Sequence, residues 1–152
     1  MSKPVAVIRK VEDSPDWLDR RLVEAYLRTS YQIKSKPFPP IRIGVTNPLL
    51  EGWLDEHHFK SYAFITAWNP FSKLLHLPEN QRRNKDLETE LKNTACFILP
   101  GFGIGEDDNW PPEESFFAPG IAAEDAIRLG RKYGQNAIVC WEKGGLPELW
   151  WL

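Results

Sequence analysis

Cysteine is scarce in this chain of 152 residues, with only Cys96 and Cys140, each inside an apolar run. So few thiols exclude a disulfide scaffold and fit a reducing compartment. No apolar run approaches the ~18 residues of a membrane span, and Met1-Ser2-Lys3-Pro4 leads into no signal-peptide core. The expectation is a cytoplasmic protein with no membrane partner. No strong charge excess is present either: the formal net charge is −2. Residues 1–76 carry 11 basic against 8 acidic side chains, and residues 77–152 carry 8 against 13. Nucleic-acid binders depend on a basic excess to neutralise phosphates. The short basic steps Arg20-Arg21, Arg82-Arg83 and Arg131-Lys132 read instead as solvated helix faces, which makes nucleic acid an unlikely partner. Internal repeats, low-complexity tracts and linkers are also missing, so residues 1–152 read as one domain.

Several chemical motifs fail on inspection. Gly101-Phe102-Gly103-Ile104-Gly105 lacks the following helix and the Lys-Ser/Thr of a phosphate cradle, and it runs into Glu106-Asp107-Asp108. Those acids with Asn109 lack the alternation of a calcium loop. His57-His58 has no ligand partner at zinc spacing, and His76 has no motif around it. Both cysteines read as inert filler, and no Gly-x-Ser-x-Gly elbow occurs. No metal ligands and no cofactor are assigned.

What is present is a composition of 42% hydrophobic and 26% charged residues, sufficient for one core. Ser14-Pro15-Asp16 reads as a helix start, with Leu18, Leu22, Ala25 and Tyr26 at helical spacing to about Ser30. Strands are read at 31–34 and 41–45, with the proline-rich loop 36–40 between them. Asn47-Pro48 opens a short helix carrying Leu50, Trp53 and Leu54. Ser61 to Trp68 is a buried strand, and Pro78 opens a helix to about Asn93. Strands follow at 95–99, 115–118, 137–141 and 148–152, with a long loop over 101–112. A helix over 121–133, with Ala122, Ala126, Leu129 and Tyr133 inward, stops at Gly134. The fold class is α/β (α+β): a single domain with a mixed sheet of about five to six strands and helices packed on it. Trp17, Trp53, Trp68 and Trp141 read as core, and at least one of Trp150 and Trp151 as near the surface.

The helix after Pro78 is the most informative element. Leu87 and Leu91 set an inward stripe, and extending it backwards places Asn84 and Asn80 on the same face with Arg83 at its edge. Amides on an apolar stripe must find partners. They lie beside the strand end carrying Thr66, Asn69 and Ser72, where α/β sheets gather ligands. Two further polar pairs, Glu114-Ser115 and Gln135-Asn136, flank buried strands, and Trp110 lies in the long loop.

The runs Phe64-Ile65-Thr66-Ala67-Trp68-Asn69-Pro70, Glu79-Asn80-Gln81-Arg82-Arg83-Asn84, Glu114-Ser115-Phe116 and Gly134-Gln135-Asn136-Ala137 resemble the signature of a bacterial family of unknown function (domain of unknown function 3293). The resemblance spans roughly residues 22–149. It implies no activity, but it marks the same polar positions as the helix-face argument.

The functional expectation is a small anionic metabolite or nucleotide, bound and with or without turnover, at the carboxyl edge of the sheet. Thr66, Asn69, Ser72, Asn80 and Asn84 supply hydroxyl and amide contacts, and Arg83 pairs with the anion. Ser115, Gln135 and Asn136 position the ligand, Trp110 covers it, and Glu114 is the candidate catalytic base. The alternative is a protein-interaction module in which these side chains only wire loops to strands, with Trp150, Trp151 and the loop 36–40 as its surface.

Overall fold

The computed structural model describes residues 7–8, 14–94, 97–107 and 110–152. Cys96, Asp108 and Asn109, and the first part of the strand read at 95–99, lie outside them. The strands are β1 (Val7–Ile8), β2 (Ser30–Ile33), β3 (Ile41–Arg42), β4 (Ser61–Ile65), β5 (Leu99–Ile104), β6 (Glu113–Pro119), β7 (Ala137–Glu142) and β8 (Glu148–Trp151). The helices are α1 (Arg20–Arg28), α2 (Pro48–Glu56), α3 (Leu77–Thr94) and α4 (Ala123–Lys132).

The strands form one sheet in the order β1-β8-β7-β4-β6-β5-β2-β3, and every neighbouring pair is antiparallel. The expected mixed sheet of five to six strands is thus corrected to an antiparallel one of eight, counting two-residue edges at β1 and β3. Side chains alternate across each strand, and both faces are covered. Ala63, Ile65, Ala118 and Cys140 pack with Leu87 and Leu91 of α3 and Leu129 of α4. Tyr62, Phe64, Phe117 and Val139 pack with Val23 of α1 and Leu50 and Leu54 of α2. The domain therefore has three layers, with helices on both sides of the sheet.

This layering accounts for the C-terminal tryptophans. Trp150 enters the α3–α4 core and Trp151 the α1–α2 core. Both are buried, against the expectation that one approaches the surface. Trp17 departs the other way and is exposed. Residues 15–18 form a turn, and α1 begins at Arg20 because Asp19 caps it, its Oδ1 accepting from the Arg21 N–H at 2.7 Å. Ala122 is likewise exposed, since it precedes the first turn of α4.

Strand β4 stops at Ile65, three residues before the apolar run ends. There the side chains replace the ladder: Thr66 Oγ1 donates to the Glu114 carbonyl at 2.6 Å and accepts from the Trp68 N–H at 3.0 Å. Strand β5 occupies the first part of the expected loop at 101–112. Its glycines lower strand propensity, yet Gly101 is required by packing. A Cβ there would stand 2.2 Å from the Gln32 carbonyl oxygen and 2.9 Å from the Phe64 ring. Among the described residues, no helix is long and apolar enough to cross a membrane.

Candidate functional site

The amide stripe of α3 is buried, as its spacing predicts, and each amide grips backbone. Asn84 Oδ1 accepts from the Ala67 N–H at 2.8 Å, and its Nδ2 donates to the Glu114 carbonyl at 2.7 Å. Asn80 Oδ1 accepts from the Asn69 N–H at 2.9 Å, and its Nδ2 donates to Asn69 Oδ1 at 2.8 Å. Arg83 donates to the carbonyls of Ala67 at 2.9 Å and Tyr133 at 2.5 Å. Gln135 Nε2 donates to the Trp68 carbonyl at 3.2 Å. One helix face thus clamps the chain leaving β4 to the segment entering β7.

The clamped segment is strained. Asn69, Phe71 and Ser72 have φ of 44°, 55° and 58°, a region that non-glycine residues visit uncommonly and at a cost of order 1–3 kcal/mol each. The neighbouring Gly134 (φ 69°) lies so close that a Cβ on it would meet Pro70 at 3.0 Å. This strain is held by several hydrogen bonds, in a turn with no buried residue of its own over 70–72.

That turn borders a cavity of about 520 Å³ between α1 and the sheet. Leu22, Ala25 and Tyr26 of α1 face it, which explains why this apolar stripe is not fully buried in the core. The Tyr26 hydroxyl is 2.8 Å from Ser72 Oγ, which also accepts from Asn136 Nδ2 at 3.2 Å. Burial holds the Tyr26 phenol above its ordinary range, opposed by the hydrogen bonds to Ser72 and Asn136. Glu113, half-buried, lines the cavity from the start of β6. Its Oε2 accepts from Asn69 Nδ2 at 2.9 Å and from Trp110 Nε1 at 3.0 Å. Burial raises its carboxyl above the usual range, and those two donors oppose the rise. Among the described residues Oε1 has no hydrogen-bond partner and no cation pairs with this side chain.

Six of the residues singled out in the sequence line this cavity: Thr66, Asn69, Ser72, Trp110, Ser115 and Gln135. Asn80, Arg83, Asn84, Glu114 and Asn136 do not line it. Asn84 and Glu114 instead border a hollow of about 290 Å³ beside α3. The Glu114 side chain is exposed, and what it contributes is its carbonyl, shared by Thr66 and Asn84. Period-two alternation along β6 puts Glu113 and Ser115 toward the cavity and Glu114 and Phe116 toward α3. The acid facing the cavity is therefore Glu113, one residue from the candidate base. Tyr26 and Glu113 were not reached from sequence. Two adjacent glutamates at a strand end give no local signal of which one turns inward. In an antiparallel sheet no single carboxyl edge exists, and the cavity lies where β4 and β5 end and β2, β6 and β7 begin.

No curated protein and no solved structure matches the chain. Residues 65–138, just under half of the chain, run from the end of β4 to the start of β7 and include Glu113 and all eleven positions weighed from the sequence. This stretch matches the model of a family described as a protein of unknown function (DUF3293).

Proposed function

We propose that the protein binds a small molecule in the cavity between α1 and the sheet. The observation that carries this reading is the Glu113 carboxyl, which lines a 520 Å³ space with one oxygen that has no hydrogen-bond partner among the described residues. An acid perturbed by burial in a concave site is a functional candidate. Ser72, Thr66, Asn69 and Gln135 offer further polar contacts, and Trp110 stands beside Glu113 as a cover. Arg83 is committed to two carbonyls, so among the described residues that line the cavity an anionic group on a ligand would find its cations at the rim, on Arg21 and Arg28.

The test is a thermal-shift screen against a chemically diverse set of small molecules, repeated on Gly103→Leu. A Cβ at Gly103 meets nothing nearer than 3.8 Å, so the fold accepts a side chain there that intrudes on the cavity. A ligand at about 100 times its dissociation constant adds about 2.7 kcal/mol, and so about 5–10 °C at this chain length. Hits should vanish in Gly103→Leu, whereas hits that persist place binding elsewhere and refute the reading.

A second reading rests on Phe71, Leu74 and Leu77, which are about 60% exposed within one short stretch. Such a patch suits a protein partner. The burial of Trp150 and Trp151 removes them from any such surface. A screen without hits, together with a folded Gly103→Leu, would favour this reading.

A further inference from the structure

We propose that the cavity selects an organic cation, an ammonium or amidinium on a flat apolar body, with its charge against Glu113 and its body against Tyr26, Tyr31, Phe64 and Trp110. The inference rests on the small-molecule reading of the same cavity and names its ligand class.

Three observations converge on it. First, Glu113 is half-buried and no cation of the described chain pairs with it, so it keeps one acceptor oxygen for a positive partner. The amide of Asn69 and the indole of Trp110 both donate to the other oxygen. Both donors are neutral, so neither supplies the positive charge that would offset the burial of this carboxyl. Second, the balance of charge around the cavity is acidic. Glu24, Glu106, Asp107 and Glu113 line it against Arg21 and Arg28; Arg21, Arg28, Glu106 and Asp107 are exposed at its rim, and the two half-buried charges, Glu24 and Glu113, are both acidic. An anion seated in the cavity would lie against the Glu113 carboxyl, whereas a cation offsets the cost of burying it. Third, four aromatic side chains contribute to the walls. Ring faces attract cations and stack on flat bodies, and the attraction strengthens where water is excluded.

The experiment is isothermal titration with three probes of one shape and different charge: benzamidine, benzamide and benzoate. The wild-type protein should bind benzamidine at least about tenfold more tightly than benzamide, with benzoate weakest. Glu113→Gln keeps an acceptor for Asn69 and Trp110, so it should fold. It should lose about tenfold for benzamidine and stay within about twofold for benzamide. Glu56→Gln, which removes an exposed acid that does not line the cavity, should leave benzamidine within about twofold. Equal affinity for benzamide, or tighter binding of benzoate that Gly103→Leu abolishes, overturns the cation class and leaves the small-molecule site standing. Benzamidine binding that Glu113→Gln does not weaken overturns the role of Glu113. Failure of all three probes to bind overturns the proposal, and the cavity reading is then decided by the wider screen.

Discussion

Asn80→Ala is the sharpest test of the α3 clamp. Asn80 is 2% exposed, and its side chain makes two short bonds to one residue, accepting from the Asn69 N–H and donating to Asn69 Oδ1. The truncation leaves the Asn69 N–H buried without an acceptor, whereas Asn69 Oδ1 still accepts from the Leu75 N–H at 3.0 Å. One orphaned buried donor costs about 1–3 kcal/mol. At about 2–4 °C per kcal/mol for a chain of this length, a loss near 2 kcal/mol lowers the melting temperature by about 4–8 °C. Calorimetry or urea unfolding reads this directly. Arg82→Ala is the control on the same helix, since its contact with Glu79 is 3.8 Å long and solvent-exposed and is worth little. A loss for Asn80→Ala below about 0.5 kcal/mol, matching the control, would refute the view that α3 amides hold the strained turn.

Three other outcomes follow from the same geometry. Glu113→Gln should stabilise the unliganded protein at neutral pH. Burial raises the folded-state pKa of Glu113, so the ionised form costs stability above that value, and the cost disappears as pH falls below the ordinary carboxylate range. The variant's advantage in urea unfolding should therefore shrink from pH 7 toward pH 4, and an advantage constant over that window would count against the assignment. Gly101→Ala should destabilise severely or block folding, because its Cβ would overlap the Gln32 carbonyl, and a soluble variant within about 1 kcal/mol of wild type would refute that packing. Cys140 should resist a thiol reagent in the native state at neutral pH and react after denaturation, because burial pushes its thiol up. Fast native labelling localised to Cys140 by peptide mapping would contradict its place in the core.

The parts of the fold carried by local periodicity were legible, and the parts set by partners were not. The stripe Asn80, Asn84, Leu87 and Leu91 follows from a 3.6-residue repeat, and all four are buried. Strand direction has no local signature, which is why a mixed sheet was expected where all pairs are antiparallel. The glycines of β5 read as a loop because the contact that demands Gly101, the neighbouring Gln32 carbonyl, is almost 70 residues away in sequence. Trp150 and Trp151 alternate as a strand should. Only the existence of helices on both faces, a property of the whole chain, decides that both are buried. The choice between Glu113 and Glu114 is a matter of strand parity. Parity is readable when one face is polar throughout, and here a single Ser115 is followed by Phe116, Phe117, Ala118 and Pro119, apolar on both faces.

A ligand site and internal wiring are not exclusive, because different residues line the cavity and grip the backbone. Asn80, Arg83 and Asn84 each hydrogen-bond the backbone and shape the chain from Thr66 to Ser72. Asn69 joins the two sets, for it takes hydrogen bonds from α3 on its oxygen and spends its amide on Glu113. A left-handed turn of non-glycine residues is not held in place by its own preferences, so without the α3 clamp it would relax. Asn69 would then withdraw from the carboxyl. The prediction that separates this chain of support from independent roles is a coupling. Asn80→Ala should weaken ligand binding in proportion to its disturbance of Asn69, and it should lose that effect in an Asn69→Ala background. Effects on binding that simply add in the double variant would show that the clamp supports the fold alone and that Asn69 reaches Glu113 unaided.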